Sequence, residues 1–388
     1  MNEKARHKRA YVLIRKLVKP LFKWKFNYEY PLIKDIEGPY IVLANHNLEL
    51  DPVLLAMAFP KHMYFVASEH IMRKGFGTWF LMYFLKPIIR IKGKVEVKTV
   101  SEILRTLRGG DNVCVFAEGA RSFNGVTREI LPSTGKMVRR SGATLITYRL
   151  EGGYFTQPRW STTLRRGKMK GILAGVYTPE ELQAMSEKEV NAVIARDLQE
   201  DAYETQKKEQ IPFKGKHLAL GMESTLFICP KCKQIGTLKS SDSSISCSCG
   251  ANFTYTEMGE LIDTKGNTLT ITEWDLWQQE ELANNFPIWK EKGTTEPCFS
   301  DDITLYDIDK DHQLVGEQKG TLTAFTDRLE CCGHTFFYED MLGLDIFSRN
   351  FMVMNYGKDA HHYEMKGDLM LCALKYLYLY ELAKGDKA

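Results

Sequence analysis

Between about Tyr40 and Val176, short apolar segments alternate with segments of helical periodicity, and this alternation constrains the fold more than any other feature. Strands that are apolar throughout and are each followed by a helix are typical of a mostly parallel sheet covered on both faces. The sequence therefore predicts an α/β domain. The predicted strands are Tyr40–Ala44, Tyr64–Ala67, Asn112–Phe116 and Thr144–Leu150, and the predicted helices are Pro52–Phe59, Lys98–Arg108 and Ser133–Ser141.

The α/β domain is predicted to span residues 31–210. Near its end, Ser186 and Glu189 have the spacing of a capping box, in which each side chain bonds the backbone N–H of the other residue. A polar helix is therefore predicted to begin there, to continue to about Gln206 and to close the domain.

His46 and Asp51 lie where the first predicted strand is followed by a helix. The carboxyl ends of strands in α/β sheets are the usual places for ligands. A His at such a turn acts as a general base when a carboxylate holds its other ring nitrogen and stabilises the imidazolium. One turn of helix brings Asp51 back towards the imidazole. A surface His followed by an N-cap Asp has the same spacing and is the alternative.

A second block, Phe116–Ser122, follows another predicted strand, again at its carboxyl end. Within it, Arg121 is suited to bidentate binding of a phosphate, and Gly119 lets a ligand approach the backbone closely. Glu118 is a candidate to orient Arg121 or to accept hydrogen bonds from substrate hydroxyls. Either block alone is weak, but the two together in one α/β domain predict an active site.

The two blocks resemble the signature of the glycerolipid acyltransferase family, the group that contains the lysophosphatidic acid acyltransferases. The NHxxxxD block of that family matches Asn45–Asp51, and its FPEGTRS block matches Phe116–Ser122. The resemblance covers about residues 35–205, roughly half of the chain.

Some residues depart from the family pattern. Ala117 and Ala120 replace the usual Pro and Thr, and Leu48 stands where Ser or Thr is frequent. The family also has a basic motif between its two blocks, and Arg90 and Lys92 are both candidates to supply it here. The residues implied in proton transfer and charge recognition are retained, so the resemblance favours an active enzyme.

The resemblance implies transfer of a fatty acyl group from acyl-CoA or acyl-carrier protein to the hydroxyl of lysophosphatidic acid or a related lysophospholipid. In that reaction His46 would deprotonate the acceptor hydroxyl, and Asp51 would orient His46. The residues implied in substrate binding are Glu118, Gly119 and Arg121, with Arg90 or Lys92 as a second phosphate contact.

Residues 1–30 form a basic arm, in which residues 1–27 hold nine Lys or Arg and one acidic residue, Glu3. In Tyr11–Trp24 four basic residues share one helical face and apolar residues occupy the rest, a pattern typical of a helix in a membrane interface. Pro20 is expected to kink or divide this helix. A helix that packs on the core and keeps its lysines solvated is the alternative.

The sequence predicts a cytoplasmic protein that associates peripherally with the inner face of the membrane. The best apolar candidate for a span, Gly75–Leu85, holds eleven residues between two lysines, whereas a membrane span needs about 20. The N-terminal apolar run is interrupted by basic residues, unlike a signal peptide. The predicted partners are the lysophospholipid, the acyl donor and the membrane surface. The aromatic residues of Gly75–Phe84 are also suited to contact with that surface.

Four of the nine cysteines form two close pairs separated by fourteen residues. In a reducing compartment, clustered cysteines bind metal more often than they form disulfides. The pairs resemble those of a zinc ribbon, here within residues 224–257, in which four thiolates hold a structural zinc ion. Reduced free thiols are the alternative. The predicted ligands are Cys229, Cys232, Cys247 and Cys249.

Residues 295–388 are predicted to form a β-rich module closed by a helix. Short strands are predicted between Pro297 and Tyr363, and a Leu- and Tyr-rich helix over Gly367–Lys384. This order resembles a pleckstrin-homology-type module, which would bind a lipid headgroup or a protein. A shorter helix is predicted before it, over Thr272–Asn284.

Two functions of different classes fit these features. The first is the O-acyltransferase described above. The alternative is a catalytically inactive, acyltransferase-like adaptor that binds a membrane or nucleic acid through the zinc ribbon and the C-terminal module. The retained residues of the two blocks favour the enzyme, and nucleic acid is not the favoured partner.

Overall fold

The computed structural model describes residues 2–91, 97–293, 295–309 and 311–385. The chain divides into two compact units. The first contains most of the chain up to Lys214, and the second contains Gly215–Ala388 together with Arg159–Thr163. The four-part division expected from the sequence stays a prediction, since the N-terminal arm lies in the first unit and both later modules lie in the second.

The first unit is built on a seven-stranded sheet in the order β1-β7-β6-β2-β5-β3-β4. Neighbouring strands are parallel except for β6 and β7, which are antiparallel. The mostly parallel α/β fold predicted from the sequence is therefore confirmed. The strands are β1 Tyr28–Glu29, β2 Tyr40–Ala44, β3 Met63–Ser68, β4 Ile88–Arg90, β5 Asn112–Phe116, β6 Thr144–Glu151 and β7 Met169–Tyr177. The helices are α1 Glu3–Phe26, α2 Asp51–Ala58, α3 Phe76–Phe84, α4 Val97–Arg108, α5 Ser133–Ser141, α6 Gly153–Thr156, α7 Pro179–Ala184, α8 Glu187–Leu198 and α9 Ala202–Glu209.

Strand β2 is apolar at every position because both of its faces are covered. Val42 packs in one core cluster with residues of α2, and Leu43 packs in another with residues of α4 and α8. Burial of each such side chain contributes roughly 1.5–3 kcal/mol. In the parallel pairing, Ala44 lies opposite Phe116. The chain segments that leave the carboxyl ends of β2 and β5 are therefore neighbours in space.

In the first unit, two helical segments differ from the sequence prediction. Helix α1 is one continuous helix through Pro20, which was expected to kink or divide it. Pro20 is exposed, so water can bond the carbonyl that loses its helical partner. The single helix predicted from Ser186 to about Gln206 is wrong. The capping box is present, but α8 ends at Leu198 and α9 begins after its own N-cap, Asp201.

The second unit contains two antiparallel sheets. The smaller has the order β12-β11-β10-β9-β8, and the larger has the order β16-β15-β14-β13-β19-β18-β17. The smaller sheet is built from β8 Leu238–Ser240, β9 Ser244–Cys247, β10 Asn252–Tyr255, β11 Leu261–Asp263 and β12 Thr268–Leu269. Helix α10, Ile271–Glu291, follows it in the chain. The larger sheet is built from β13 Phe299–Ile308, β14 Leu314–Ala324, β15 Arg328–Cys331, β16 His334–Phe337, β17 Met341–Ser348, β18 Phe351–Tyr356 and β19 His361–Gly367, and α11 Ala373–Lys384 follows it.

The β-rich module with a closing helix is therefore confirmed, although β19 extends to Gly367 and the helix begins at Ala373. Tyr376 of α11 is buried and its hydroxyl donates to Asp301 of β13 at 2.6 Å. This contact and the apolar residues around it fix the helix on the sheet. The pleckstrin-homology-type assignment stays a prediction.

Candidate active site

The loop between β2 and α2 brings His46 and Asp51 together. Nδ1 of His46 lies 2.9 Å from Oδ2 of Asp51. The same oxygen accepts the backbone N–H groups of Asn47 and Leu48, each at 2.8 Å. Asp51 is fully buried at the first turn of α2, where the helix dipole favours a carboxylate. The segment from His46 to Asp51 thus forms a closed loop whose hydrogen bonds converge on one carboxylate.

These contacts also indicate the tautomer of the neutral imidazole. Oδ2 of Asp51 accepts two backbone N–H groups, so it acts as an acceptor towards His46 as well, and Nδ1 of His46 carries the proton. The other ring nitrogen, Nε2, then has a free lone pair. The ring stacks on Phe116 at 4.4 Å between centroids, and the His46 side chain remains 21% exposed. Such an imidazole is able to accept a proton from a bound hydroxyl.

Glu118 holds the backbone of both site loops. Its Oε1 accepts the backbone N–H of His46 at 2.6 Å, and its Oε2 accepts that of Arg128 at 2.7 Å. Burial raises the pKa of Glu118 to about 8, although the two amides and the Arg128 charge act in the opposite direction. The sequence suggested that Glu118 orients Arg121 or binds hydroxyls. In the structure, both of its oxygens accept backbone N–H groups, one of which belongs to the candidate base.

Arg121 lies beside the same loop. Its Nη2 is 3.3 Å from Oε1 of Glu49, and its side chain is 12% exposed, whereas that of Glu49 is 68% exposed. Burial lowers the pKa of Arg121, and the charges of Glu49 and Asp51 oppose that shift. An ion pair with so exposed a partner contributes little stability. An anionic ligand is therefore able to displace Glu49 from the guanidinium.

Arg90 ends β4 and lies against Gly119. A Cβ atom at position 119 would come within 2.5 Å of Nη1 of Arg90, and the φ angle of Gly119 is +71°. Glycine is therefore required twice here, for the backbone conformation and for the close approach of the guanidinium. Of the two basic candidates from the sequence, the structure brings Arg90 to the second block. Lys92 lies outside the described residues.

The backbone ties the two loops together. The Ser122 N–H donates to the carbonyl of His46 at 3.0 Å, and the Ala117 N–H donates to the carbonyl of Ala44 at 3.1 Å. His46, Asp51, Glu118, Gly119, Arg121 and Arg90 therefore form one constellation at the carboxyl edge of the sheet. Sequence reasoning missed Glu200, whose Oε2 accepts the side-chain N–H groups of Asn45 and Asn47.

The four cysteines predicted to bind metal form one cluster. All four Sγ atoms lie within 4.8 Å of one another, with 3.7 Å between Cys229 and Cys249 and 3.7 Å between Cys232 and Cys247. A tetrahedral zinc ion with bonds of about 2.3 Å has sulfur–sulfur separations of about 3.8 Å. The donor type and the spacing therefore fit zinc. A turn supports each pair: Lys233 N–H donates to Cys229 O, and Gly250 N–H donates to Cys247 O.

Comparison with known families agrees with this geometry. Residues 25–151 match the model of the family described as Acyltransferase. The matched residues are called the Acyltransferase domain below. Among solved structures, the chain is similar to the 1-acyl-sn-glycerophosphate (LPA) acyltransferase PlsC from Thermotoga maritima, with 23% sequence identity and a TM-score of 0.41. That alignment covers 50% of this chain and 80% of the other.

The Acyltransferase domain contains the whole constellation of His46, Asp51, Arg90 and the block that includes Glu118 and Arg121. The family match supports acyl transfer as the general reaction and a thioester of CoA or carrier protein as the general donor. Glu200 and the cysteine cluster lie beyond the matched residues.

Proposed function

We propose that the Acyltransferase domain transfers a fatty acyl group from acyl-CoA or acyl-carrier protein to the free hydroxyl of lysophosphatidic acid or a related lysophospholipid. The observation that carries this proposal is that the constellation holds a His46–Asp51 pair together with two arginines. Arg90 lies against Gly119, and Arg121 follows Ala120 in the same block. The pair supplies a base for the hydroxyl, and the arginines supply charge for a phosphate.

In the proposed step, Nε2 of His46 takes the proton of the acceptor hydroxyl while the hydroxyl oxygen attacks the thioester carbonyl carbon. A carbon–oxygen bond forms and the carbon–sulfur bond breaks, and its electron pair goes to the sulfur of the leaving thiol. That sulfur then takes the proton from His46, which restores the neutral imidazole. Asp51 stabilises the imidazolium between the two transfers.

The acceptor phosphate is proposed to bind Arg121 and Arg90, with Glu49 displaced from Arg121. A guanidinium binds a phosphate through two parallel N–H donors, and the water-poor setting of Arg121 strengthens that contact. Because Gly119 has no side chain, the Arg90 guanidinium lies against the backbone of the block that also carries Arg121.

Replacement of Arg121 by glutamine is expected to lower kcat/KM for lysophosphatidic acid by about 10- to 100-fold, because a charged hydrogen bond to phosphate contributes roughly 1.5–3 kcal/mol. The same variant is expected to change kcat/KM for monoacylglycerol, which has no phosphate, by less than about threefold. The assay measures transfer of a labelled acyl group from acyl-CoA to each acceptor.

Arg105→Gln is the matched control, because Arg105 is an exposed arginine on α4 away from the two blocks. It is expected to acylate both acceptors like the unmodified protein. If Arg121→Gln lowered the rate equally for both acceptors, Arg121 would not be the phosphate contact. If the unmodified protein acylated neither, the proposed acceptor class would be wrong.

We also propose that the Acyltransferase domain works on a membrane surface, with α1 in contact with the lipid. One face of α1 packs on the domain, where Tyr11 donates to Phe59 O at 2.9 Å and Arg15 to Met57 O at 2.9 Å. Another face is apolar and exposed to solvent: Leu13, Leu17, Leu21 and Trp24 are each more than half exposed. Among the described residues, no helix combines the length and the hydropathy that crossing a bilayer requires.

The exposed lysines of α1 and the aromatic side chains of α3 support this proposal. Lys16, Lys19 and Lys23 are exposed on α1, and each basic residue near an anionic surface contributes about 1 kcal/mol of attraction. On α3, Phe76, Trp79 and Tyr83 are exposed, and aromatic side chains favour the headgroup region.

The triple change of Leu13, Leu17 and Leu21 to serine is expected to weaken binding to vesicles that contain phosphatidylglycerol by at least about 100-fold, since each buried leucine contributes roughly 1.5–3 kcal/mol. Flotation of the protein with vesicles measures this binding. The matched control changes three leucines of similar exposure, Leu131, Leu276 and Leu369, to serine. Equal flotation of both triple variants would contradict the role of α1.

Finally, we propose that Cys229, Cys232, Cys247 and Cys249 hold a structural zinc ion. Four thiolates complete a tetrahedral shell, so the ion would have no open position for substrate and would act on the fold instead. The 3.7 Å sulfur separations support this assignment.

A further inference from the structure

We propose that Glu200 is a positioning residue for the acyl-transfer step, because it holds both residues that flank His46. This inference rests on the function proposed above, and it assigns a role to a residue outside the family match. Oε2 of Glu200 accepts Nδ2 of Asn47 at 2.7 Å and Nδ2 of Asn45 at 3.1 Å. One carboxylate oxygen therefore bonds both the residue before His46 and the residue after it.

The bridge reaches His46 through short, well-defined links. Asn45 also bonds the backbone of Leu150 on β6, through its Oδ1 at 2.7 Å and its Nδ2 at 2.9 Å. Asn47 donates its backbone N–H to Asp51, the partner of the imidazole. A shift of Asn47 would therefore move the carboxylate that orients His46.

Glu200 also joins the loop that follows the second block. Its backbone N–H donates to Oγ1 of Thr127 at 2.8 Å, and its carbonyl accepts the Thr127 N–H at 2.9 Å. The next residue, Arg128, donates its backbone N–H to Glu118, which in turn accepts the N–H of His46. Glu200 is thus connected to His46 from both sides, by its side chain through the asparagines and by its backbone through Thr127.

The local structure of Glu200 is built for this contact. The polar helix that begins at Glu187 stops at Leu198 and restarts at Ala202, and Glu200 lies in the break. Glu200 is 3% exposed, and burial raises the pKa of its carboxyl group well above the ordinary value for glutamate. A break in a helix and a buried carboxyl group both cost free energy of folding. Features with such a cost are concentrated at functional sites.

The test replaces Glu200 by methionine, which keeps the volume and removes the acceptor, and by glutamine, whose carbonyl oxygen is able to accept both N–H groups. Glu200→Met is expected to lower kcat with lysophosphatidic acid by about 10- to 100-fold, as a base displaced by about 1 Å does. KM is expected to stay within about twofold, because the phosphate contacts remain. Glu200→Gln is expected to restore most of kcat.

The matched control is Asp197→Asn. Asp197 is a buried carboxylate three residues earlier, and its Oδ2 accepts the hydroxyls of Thr147 at 2.7 Å and Tyr177 at 2.6 Å. Asp197→Asn is expected to lose stability and to keep kcat. If Glu200→Met and Asp197→Asn lowered kcat in the same proportion, or if Glu200→Gln failed to rescue, the positioning role would be overturned.

A second readout does not depend on turnover. In protein labelled with ¹⁵N-histidine, the His46 signals, assigned by their loss in His46→Gln, are expected to report the Nδ1–H tautomer. Glu200→Met is expected to give mixed tautomers, and Glu200→Gln and Asp197→Asn are expected to retain the original one. An unchanged His46 tautomer in Glu200→Met would overturn the proposal even if no acceptor were acylated. Where Glu200→Met fails to fold, Asn47→Ala is the second variant. It removes the shorter of the two hydrogen bonds that Glu200 accepts from the asparagine side chains, and it is expected to give mixed tautomers.

Discussion

Replacement of His46 by alanine is expected to lower kcat for acylation of lysophosphatidic acid by about 100- to 10,000-fold, the range that a positioned general base contributes. The physical reason is that a hydroxyl is a weak nucleophile until its proton is removed. In this structure the Nε2 lone pair of His46 is available for that proton, because Asp51 holds Nδ1 at 2.9 Å. The assay is transfer of a labelled acyl group from acyl-CoA under single-turnover conditions, which isolates the chemical step from product release.

His217 provides a matched control for this prediction. Its Nδ1 lies 2.6 Å from Oδ1 of Asp242, so it is also a His–Asp pair, but both side chains are largely exposed. His217→Ala is expected to leave kcat within about twofold of the unmodified value, because an exposed pair is solvated and lies outside the two blocks. Turnover of His46→Ala within twofold of the unmodified protein would exclude His46 as the base.

Asp51→Asn separates orientation from proton transfer. The asparagine oxygen is able to accept the amides of Asn47 and Leu48, but its neutral side chain no longer stabilises the imidazolium. The expected kcat is therefore lower than that of the unmodified protein and no lower than that of His46→Ala. A loss larger than that of His46→Ala would indicate that Asp51 mainly holds the loop fold.

The central strands of the Acyltransferase domain were predictable from the sequence within a residue or two. The strand predicted over Tyr40–Ala44 is observed with those bounds, as is Asn112–Phe116. Both strands are buried on two faces, so nearly every position needs an apolar residue. The resulting unbroken apolar run is typical of strands of this kind. The His46–Asp51 contact was predictable for a different reason, because it is local and depends on one turn of chain.

The parts that the sequence did not reveal depend on long-range contacts. The helix predicted from Ser186 was expected to continue past Glu200, because Gln199-Glu200-Asp201 contains no Gly or Pro and reads like more polar helix. The break arises from pairing with a loop some seventy residues away, in which Thr127 bonds the Glu200 backbone. Likewise, the contact of Arg90 with Gly119 joins residues far apart in the chain, and no local pattern encodes it.

Helix α1 has one face that packs on the domain and a second, apolar face that is exposed. The sequence left open a membrane-interface helix and a helix packed on the core. The structure packs Tyr11 and Arg15 on the domain and leaves Leu17 and Trp24 exposed. A buried stripe and an exposed apolar stripe on one helix produce a weak overall periodicity, which is why the sequence pattern did not separate them.

Removal of zinc is expected to produce the largest structural effect in the second unit. Structural zinc contributes about 10–16 kcal/mol of binding free energy in small zinc-finger peptides, and that energy supports the fold. In this protein the small sheet has its own buried side chains, among them Ile245, Tyr255 and Leu261. The expected result of chelation is therefore local opening of the two cysteine turns and a lower thermal midpoint, with the remaining strands kept.

The expected decrease in the thermal midpoint depends on the number of residues in the second unit. For a unit of this size, each kcal/mol of lost stability lowers the thermal midpoint by roughly 2–4 °C. Loss of about 3–4 kcal/mol of stabilisation by zinc therefore predicts a decrease of roughly 6–16 °C. Metal analysis of protein purified without chelator is expected to give about one zinc per chain. Limited proteolysis after chelation is expected to cut near Cys229–Cys232 and Cys247–Cys249.

Cysteine variants locate the ion. Cys247→Ser is expected to abolish stoichiometric zinc and to reproduce the lower midpoint without chelator, because serine is a poor zinc ligand. Cys298→Ser is the matched control, since Cys298 is a partly buried cysteine of the same unit that lies outside the cluster. It is expected to retain zinc and the original midpoint. Protein that contains no zinc after purification, or a Cys247→Ser variant with full zinc content, would show that the four sulfur atoms approach one another for reasons other than metal binding.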